Sequence, residues 1–273
     1  MWTVYLMYSL VGAVAGLLGG LLGIGGGLII VPMLVACFGW QGFSESCVMH
    51  TALGTSMASI MFTSVSSSLA HHRRGSVAWV VVRRAALGIL CGTFLGTCFV
   101  AQVPTRMLKV VFVVFLVGVA VQMVLGGKPK PTRELPGRGG LFLGGSGVGL
   151  ISSLVGIGGG TMSVPLMVWH NIPLKTAIGT SAALGFPIAV AGTVGYLYNG
   201  LGAPNRPDYA IGYVYLPALA GIALLSIATA PLGAMLAHAL PVDKLKKVFA
   251  VLLAVIAVRM LLGALLAASP VGG

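Results

Sequence analysis

The sequence predicts an all-α polytopic membrane protein made of two inverted repeats, each a Gly-broken helical hairpin plus three spanning helices. Three observations lead there. Charged residues make up only 7% of the chain against 58% hydrophobic ones, with a mean hydropathy of +1.04; a soluble surface needs roughly a quarter charged residues. Apolar stretches close to the ~20 residues that cross a hydrocarbon core recur along the whole length. Three sequence blocks also occur twice in the same order, and an internal repeat dictates architecture.

The first apolar stretch covers 4–22 and runs into Gly25, Gly26 and Gly27. Without Cβ atoms this triplet lets the chain turn sharply. A second arm, 28–38, is too short for a comfortable crossing. Stretches 51–69, 77–101 and 110–125 follow, each read as a spanning helix because lipid offers the backbone no other hydrogen-bonding partner. Residues 126–140 hold Lys128, Pro129, Lys130, Pro131, Arg133, Glu134, Pro136 and Arg138, a solvated basic linker on the cytoplasmic side. The pattern then restarts with 141–155, the triplet Gly158, Gly159 and Gly160, a short arm 161–169, and stretches 176–197, 213–236 and 248–267. The units are therefore 1–125 and 141–273. Met1-Trp2-Thr3 lacks the basic region of a secretory signal, so the first helix is expected to stay.

The repeated blocks are specific. Leu22-Gly-Ile-Gly-Gly-Gly, closing on Val31-Pro32, returns as Val155-Gly-Ile-Gly-Gly-Gly, closing on Val164-Pro165. Thr51-Ala-Leu-Gly-Thr55-Ser56 returns as Thr176-Ala-Ile-Gly-Thr180-Ser181, and Lys109-Val-Val-Phe112 as Lys246-Lys-Val-Phe249. If each hairpin returns to its starting side, three crossings follow it and the halves are inverted. With an outside amino terminus this puts twelve of the sixteen Lys and Arg in the cytoplasm and leaves Arg106, Lys109, Arg206 and Arg259 outside. Counting each hairpin as one crossing gives ten against six, so the rule that cytoplasmic loops are basic favours inversion.

Inverted repeats with broken helices are a transporter plan in which half-helix ends meet a substrate near the midplane. The amides that open the second arms, at Leu28 and Thr161, have no partner within a helix, and a helix N-terminus favours an anion. The bland reading of the glycines, close packing of helices as in Gly19-x-x-x-Gly23, leaves the equal GIGGG-to-Val-Pro spacing unexplained. Thr55, Ser56, Thr180 and Ser181 supply hydroxyls either to an oxyanion or back to a helix carbonyl. Gln122 and Arg259 fall at equivalent positions of the two halves and are candidates for a shared cavity; the competing role for Arg259 is to snorkel to the headgroups.

His50 and Lys175 precede the two Thr-Ala-x-Gly-Thr-Ser blocks and read as interfacial, while His71 and His72 beside Arg73 and Arg74 read as a solvated loop. Cys37, Cys47, Cys91 and Cys98 show no metal spacing and read as packing residues. The four acids, Glu45, Glu134, Asp208 and Asp243, all fall in loops or at helix ends, which leaves no carboxylate ladder for a cation path and no carboxylate-bearing metal site. GIGGG lacks a βαβ context or a following GKS/T, so it is no nucleotide loop, and no GxSxG, GxGD or HExxH motif supports an intramembrane hydrolase. The chain is read as no enzyme, needing neither cofactor nor metal, with no nucleic-acid partner.

The paired segments 23–32 and 156–165, with Ala-x-Gly-Thr-Ser at 52–56 and 177–181, resemble the TauE/SafE family of sulfite exporters and related anion permeases, over nearly the whole chain. The resemblance implies a secondary carrier of sulfite, a sulfonate or a related organosulfur anion; the inverted arrangement in a bacterial inner membrane puts both termini outside and gives alternating access as the mode of transport. Export is the simpler direction, since each unit charge leaving a negative cytoplasm gains ~2.3 kcal/mol per 100 mV. A passive anion channel or a non-transporting membrane subunit are the competing classes.

Overall fold

A computed structural model describes residues 2–125, 134–239 and 242–266. Among these are ten helices: α1 (Trp2–Leu22), α2 (Gly27–Trp40), α3 (Val48–His72), α4 (Trp79–Val100), α5 (Thr105–Leu125), α6 (Arg138–Val155), α7 (Gly160–Trp169), α8 (Leu174–Gly200), α9 (Leu216–Ala239) and α10 (Val242–Leu266). The eight long stretches and both short arms expected from hydropathy are all present as helices. Linker residues 126–133 lie outside the described residues, and α6 begins within the segment read as linker.

Six helices, α1, α4, α5, α6, α8 and α9, are long and apolar enough to cross a membrane. The protein is thus a multi-pass, all-helical membrane protein. α3 has 25 residues, about 37 Å at 1.5 Å per residue. It falls outside that set because hydroxyl side chains replace apolar ones along it. Those side chains are buried, including Thr55, Ser56, Ser59, Thr63, Ser64 and Ser67. Several bond backwards along the helix, Ser59 to the Thr55 carbonyl at 2.8 Å and Thr63 to that of Ser59 at 3.1 Å.

The sequence does not announce a two-stranded hairpin, β1 (Ala210–Ile211) with β2 (Val214–Tyr215). It lies between α8 and α9, turns through Gly212 at φ 55°, and stacks Tyr213 on the His50 ring with centroids 5.0 Å apart. Tyr215 meets Phe38 and Phe43 edge-on.

Helices of one half pack chiefly on helices of the other. Gly12, Gly16 and Gly20 of α1 lie against Ile222, Ser226 and Ala230 of α9, and Gly88 and Gly92 of α4 against Phe142 and Ser146 of α6. Since the contacts advance together, α1 runs with α9, and α4 with α6. α3 also runs with α9, through Thr63 to Ser226 and His71 to His238. α3 runs against α8, as Met57, Ser64 and His71 face Gly192, Gly185 and Gly179 in descending order. Thr97 beside Gly195 and Ala78 beside Thr180 align α4 with α8. Hence α1, α3 and α9 point one way and α4, α6 and α8 the other. α2 returns to where α1 began, because Gln41 just beyond its end donates to the Tyr8 hydroxyl at 2.6 Å.

Candidate functional site

The two glycine breaks meet face to face between α3 and α8. In each, a left-handed glycine closes the first arm, Gly23 at φ 71° and Gly156 at φ 68°, and another opens the second, Gly26 at φ 83° and Gly159 at φ 79°. Side chains resist this region of backbone space, which is why glycine stands at these four places. Gly27 lies against the Gly156 carbonyl and Ile157, and Gly160 against the Gly23 carbonyl and Ile24, the same contact with the halves exchanged. A Cβ on Gly25 would stand 3.4 Å from the Gly158 Cα. Gly25, Gly26, Gly27, Gly158, Gly159 and Gly160 are all buried.

Four carbonyls at the breaks are taken by donors from the two central helices. Ser181 donates to the Gly23 carbonyl at 2.7 Å and Ser56 to that of Gly156 at 2.8 Å. His71 Nε2 donates to the Gly20 carbonyl at 2.9 Å and the Tyr196 hydroxyl to that of Ser153 at 2.7 Å. Amides are treated differently. Ile29 and Ile30 both donate to the Gly26 carbonyl, and Met162 and Ser163 to that of Gly159, but the Gly27, Leu28, Gly160 and Thr161 amides have no hydrogen-bond partner among the described residues. Buried amides seldom stay unpaired. Open amides at the start of both second arms, beside carbonyls already held by Ser56, Ser181, His71 and Tyr196, suit a ligand that accepts hydrogen bonds.

The hydroxyls expected at the site are therefore next to it in differing roles. Ser56 and Ser181 have their protons committed to the opposite break. Thr55 Oγ1 accepts the Tyr215 amide just before α9 and Thr180 Oγ1 the Ala78 amide just before α4, both at 2.9 Å, so each threonine caps a helix of the other half. Ser56→Ala strands a buried carbonyl and is expected to lower stability by about 1–3 kcal/mol. Ser181→Ala is expected to do the same, both measured by the midpoint of denaturation in detergent.

Thr161 and Gln122 line one open cavity of about 510 Å³ between α5 and α7, with Phe115, Val119, Met162 and Trp169. A second cavity, on the other flank of α7, reaches Ser163, Met167 and His170 against Val81, Ala85 and Val148. Neither is lined by the glycine triplets. Arg259 is exposed on α10 and lines neither. The structure thus brings the glycines, Ser56 and Ser181 together, joins Gln122 to Thr161, and leaves Arg259 apart.

His50 Nε2 donates to the Val100 carbonyl at 3.2 Å, and Lys175 Nζ to that of His238 at 3.2 Å. Each closes the last turn of the fourth helix of its own half, and the Lys175 ammonium also suits the negative end of α9. Burial raises the Cys47 thiol above its ordinary value, and its Sγ donates to the Ser44 and Asn205 carbonyls, so it stays a protonated packing group. His71 departs from the solvated-loop expectation: it is 0% exposed. Sequence reasoning also passed over Ser59, Thr63, Tyr196 and Ser226. Their signal was a three-to-four-residue hydroxyl period inside an apolar run.

A model of the family described as sulfite exporter TauE/SafE matches residues 8–260. Among curated proteins, a probable membrane transporter protein of Haemophilus influenzae is 40% identical across 96% of this chain and 100% of its own length. One from Methanocaldococcus jannaschii is 27% identical over 93% and 94% of the two chains. The probable membrane transporter protein YunE of Bacillus subtilis is 26% identical over 72% and 79%. No solved structure matches.

Proposed function

This chain belongs to the sulfite exporter TauE/SafE family of membrane transporters, and from that premise we propose that it is a secondary carrier exporting a small anion, such as sulfite, a sulfonate or a related organosulfur anion. The observation that supports an anion is the pairing pattern at the breaks: carbonyls occupied by Ser56, Ser181, His71 and Tyr196, and amides of Gly27, Leu28, Gly160 and Thr161 open. An anion accepts and cannot donate, and two half-helix N-termini add favourable dipole ends.

Two inverted repeats supply the alternating access. The opposite running of α1 against α6, α3 against α8 and α4 against α9 supports that arrangement, as does the return of α2 toward the start of α1. With the breaks in contact and buried, this conformation is closed at its centre. Carriage requires the tips at Gly25–Gly27 and Gly158–Gly160 to part and admit the anion, while Thr55 and Thr180 hold the helices that follow. The α5 and α7 cavity gives the second tip room to move and places Gln122 along it.

The test is counterflow of labelled sulfite, thiosulfate and methanesulfonate in proteoliposomes. Saturable flux with competition between anions is expected; a linear, uncompeted flux marks a channel, and no flux of any anion removes the reading. Arg259→Ala settles the remaining member of the site. As an approach residue its loss raises the half-saturating anion concentration several-fold at unchanged maximal rate, and identical kinetics exclude it.

A further inference from the structure

Where α3 and α9 end and α8 begins, four basic side chains from three segments gather. His71 on α3 sits 3.4 Å from His238 on α9, Nδ1 to Nε2. Lys175 of α8 binds the His238 carbonyl, and Arg74, anchored on the Ala70 carbonyl, lies within electrostatic range of both rings. The described carboxylates, Glu45, Glu134 and Asp208, bond to none of the four. α10 opens close in sequence with Asp243, Lys244, Lys246 and Lys247, whose side chains lie outside the described residues.

The bonds fix the protons. A carbonyl only accepts, so His71 carries hydrogen on Nε2 toward Gly20, and its Nδ1 accepts from His238 Nε2–H. The fold supplies its own control. Tyr196 makes the equivalent bond in the second half, to Ser153. Closing the first arm therefore needs only a hydroxyl. What histidine adds is a second nitrogen, and that nitrogen is the one joined to His238.

We propose that this cluster is an entry site for an oxyanion, and that the His71–His238 pair takes up a proton together with it, so that the carrier moves the two in company. The proposal rests on the carrier reading above. An added proton settles on the open Nδ1 of His238 and is shared along the Nε2–H to Nδ1 bond; a second is opposed by the first and by Arg74 and Lys175. The bound anion supplies the counter-charge that none of the described carboxylates gives this cluster. By reciprocity the proton tightens the anion by the same factor.

Proteoliposome flux of sulfite, and of thiosulfate as an anion that does not itself titrate over about pH 5–8, is measured with a pH gradient imposed in either direction. The wild-type protein responds to one polarity with a rise of about tenfold. His71→Tyr copies Tyr196, keeps the bond to Gly20 and the wild-type melting temperature, and loses the rise; His238→Gln loses it also. Lys175→Gln raises the half-saturating thiosulfate concentration by about fivefold or more. A full gradient response in His71→Tyr overturns the proposal, as does wild-type flux indifferent to the gradient. A response kept in His71→Tyr but lost in Asp243→Asn hands the proton to Asp243 and overturns it too. Absence of any wild-type flux instead brings down the carrier reading itself.

Discussion

Gly160→Val is expected to reduce anion transport by about ten- to a hundredfold. A Cβ at this position falls on the Gly23 carbonyl and within 2.7 Å of the Ile24 Cα. Both are backbone atoms of the opposite break, and neither yields as a flexible side chain does. Overpacking of this kind costs typically 1–3 kcal/mol, and about 1.4 kcal/mol is a factor of ten. Gly27→Val meets the Gly156 carbonyl and Ile157 in the same way and carries the same expectation. Gly39→Val, in α2 but with nothing within 4 Å, is the control and transports normally. Initial counterflow rates, normalised to folded protein by size-exclusion chromatography, decide the matter. Wild-type rates in Gly160→Val would mean that the breaks need not touch.

Gly92→Leu has the larger structural consequence. The glycine lies against the Ser146 backbone, and a Cβ would stand 2.7 Å from both the Ser146 Cα and carbonyl carbon. Lipid tails are as apolar as leucine, so these helices are held by close contact and not by exclusion from water. Forcing α4 from α6 removes that contact along the whole run of Gly88, Gly92 and Gly96. The expected result is loss of monodisperse protein in mild detergent, or a melting temperature lower by the equivalent of about 3 kcal/mol. Gly144→Leu on α6 faces open space and leaves the melt unchanged. A Gly92→Leu protein that melts like the wild type would show that the interface repacks.

Much of this architecture is legible in the chain. Ten helical segments follow from apolar run length, since the bilayer sets both a minimum length and a backbone requirement. The glycine breaks follow from their recurrence. What sequence could not reveal was which partner each repeated residue meets. Ser56 and Thr55 are neighbours in a six-residue block. Only the crossing of α3 with α8 sends one hydroxyl to the Gly156 carbonyl and the other to the Tyr215 amide. His71 followed by His72-Arg73-Arg74 looks like a solvated turn, yet one helical step separates a buried ring from exposed neighbours. Local composition does not encode that step. The pairing of Gln122 with Arg259 rests on repeat position alone: both side chains are exposed, and Gln122 also lines the open cavity between α5 and α7.

The exchange of contacts between halves also bears on biogenesis. Thr229 of α9 donates to the Ala13 carbonyl of α1 across 216 positions, and Tyr215 and Ser181 meet their partners across 160 and 158. At roughly 5–20 residues per second of synthesis, α1 waits about 10–40 s for α9. During that interval the leading half stands in the bilayer with the Gly23 carbonyl and the α1 glycine face uncovered. The nascent chain must therefore be sheltered by the insertion machinery until the ribosome has delivered nearly all of it, and severed halves should accumulate only when produced together.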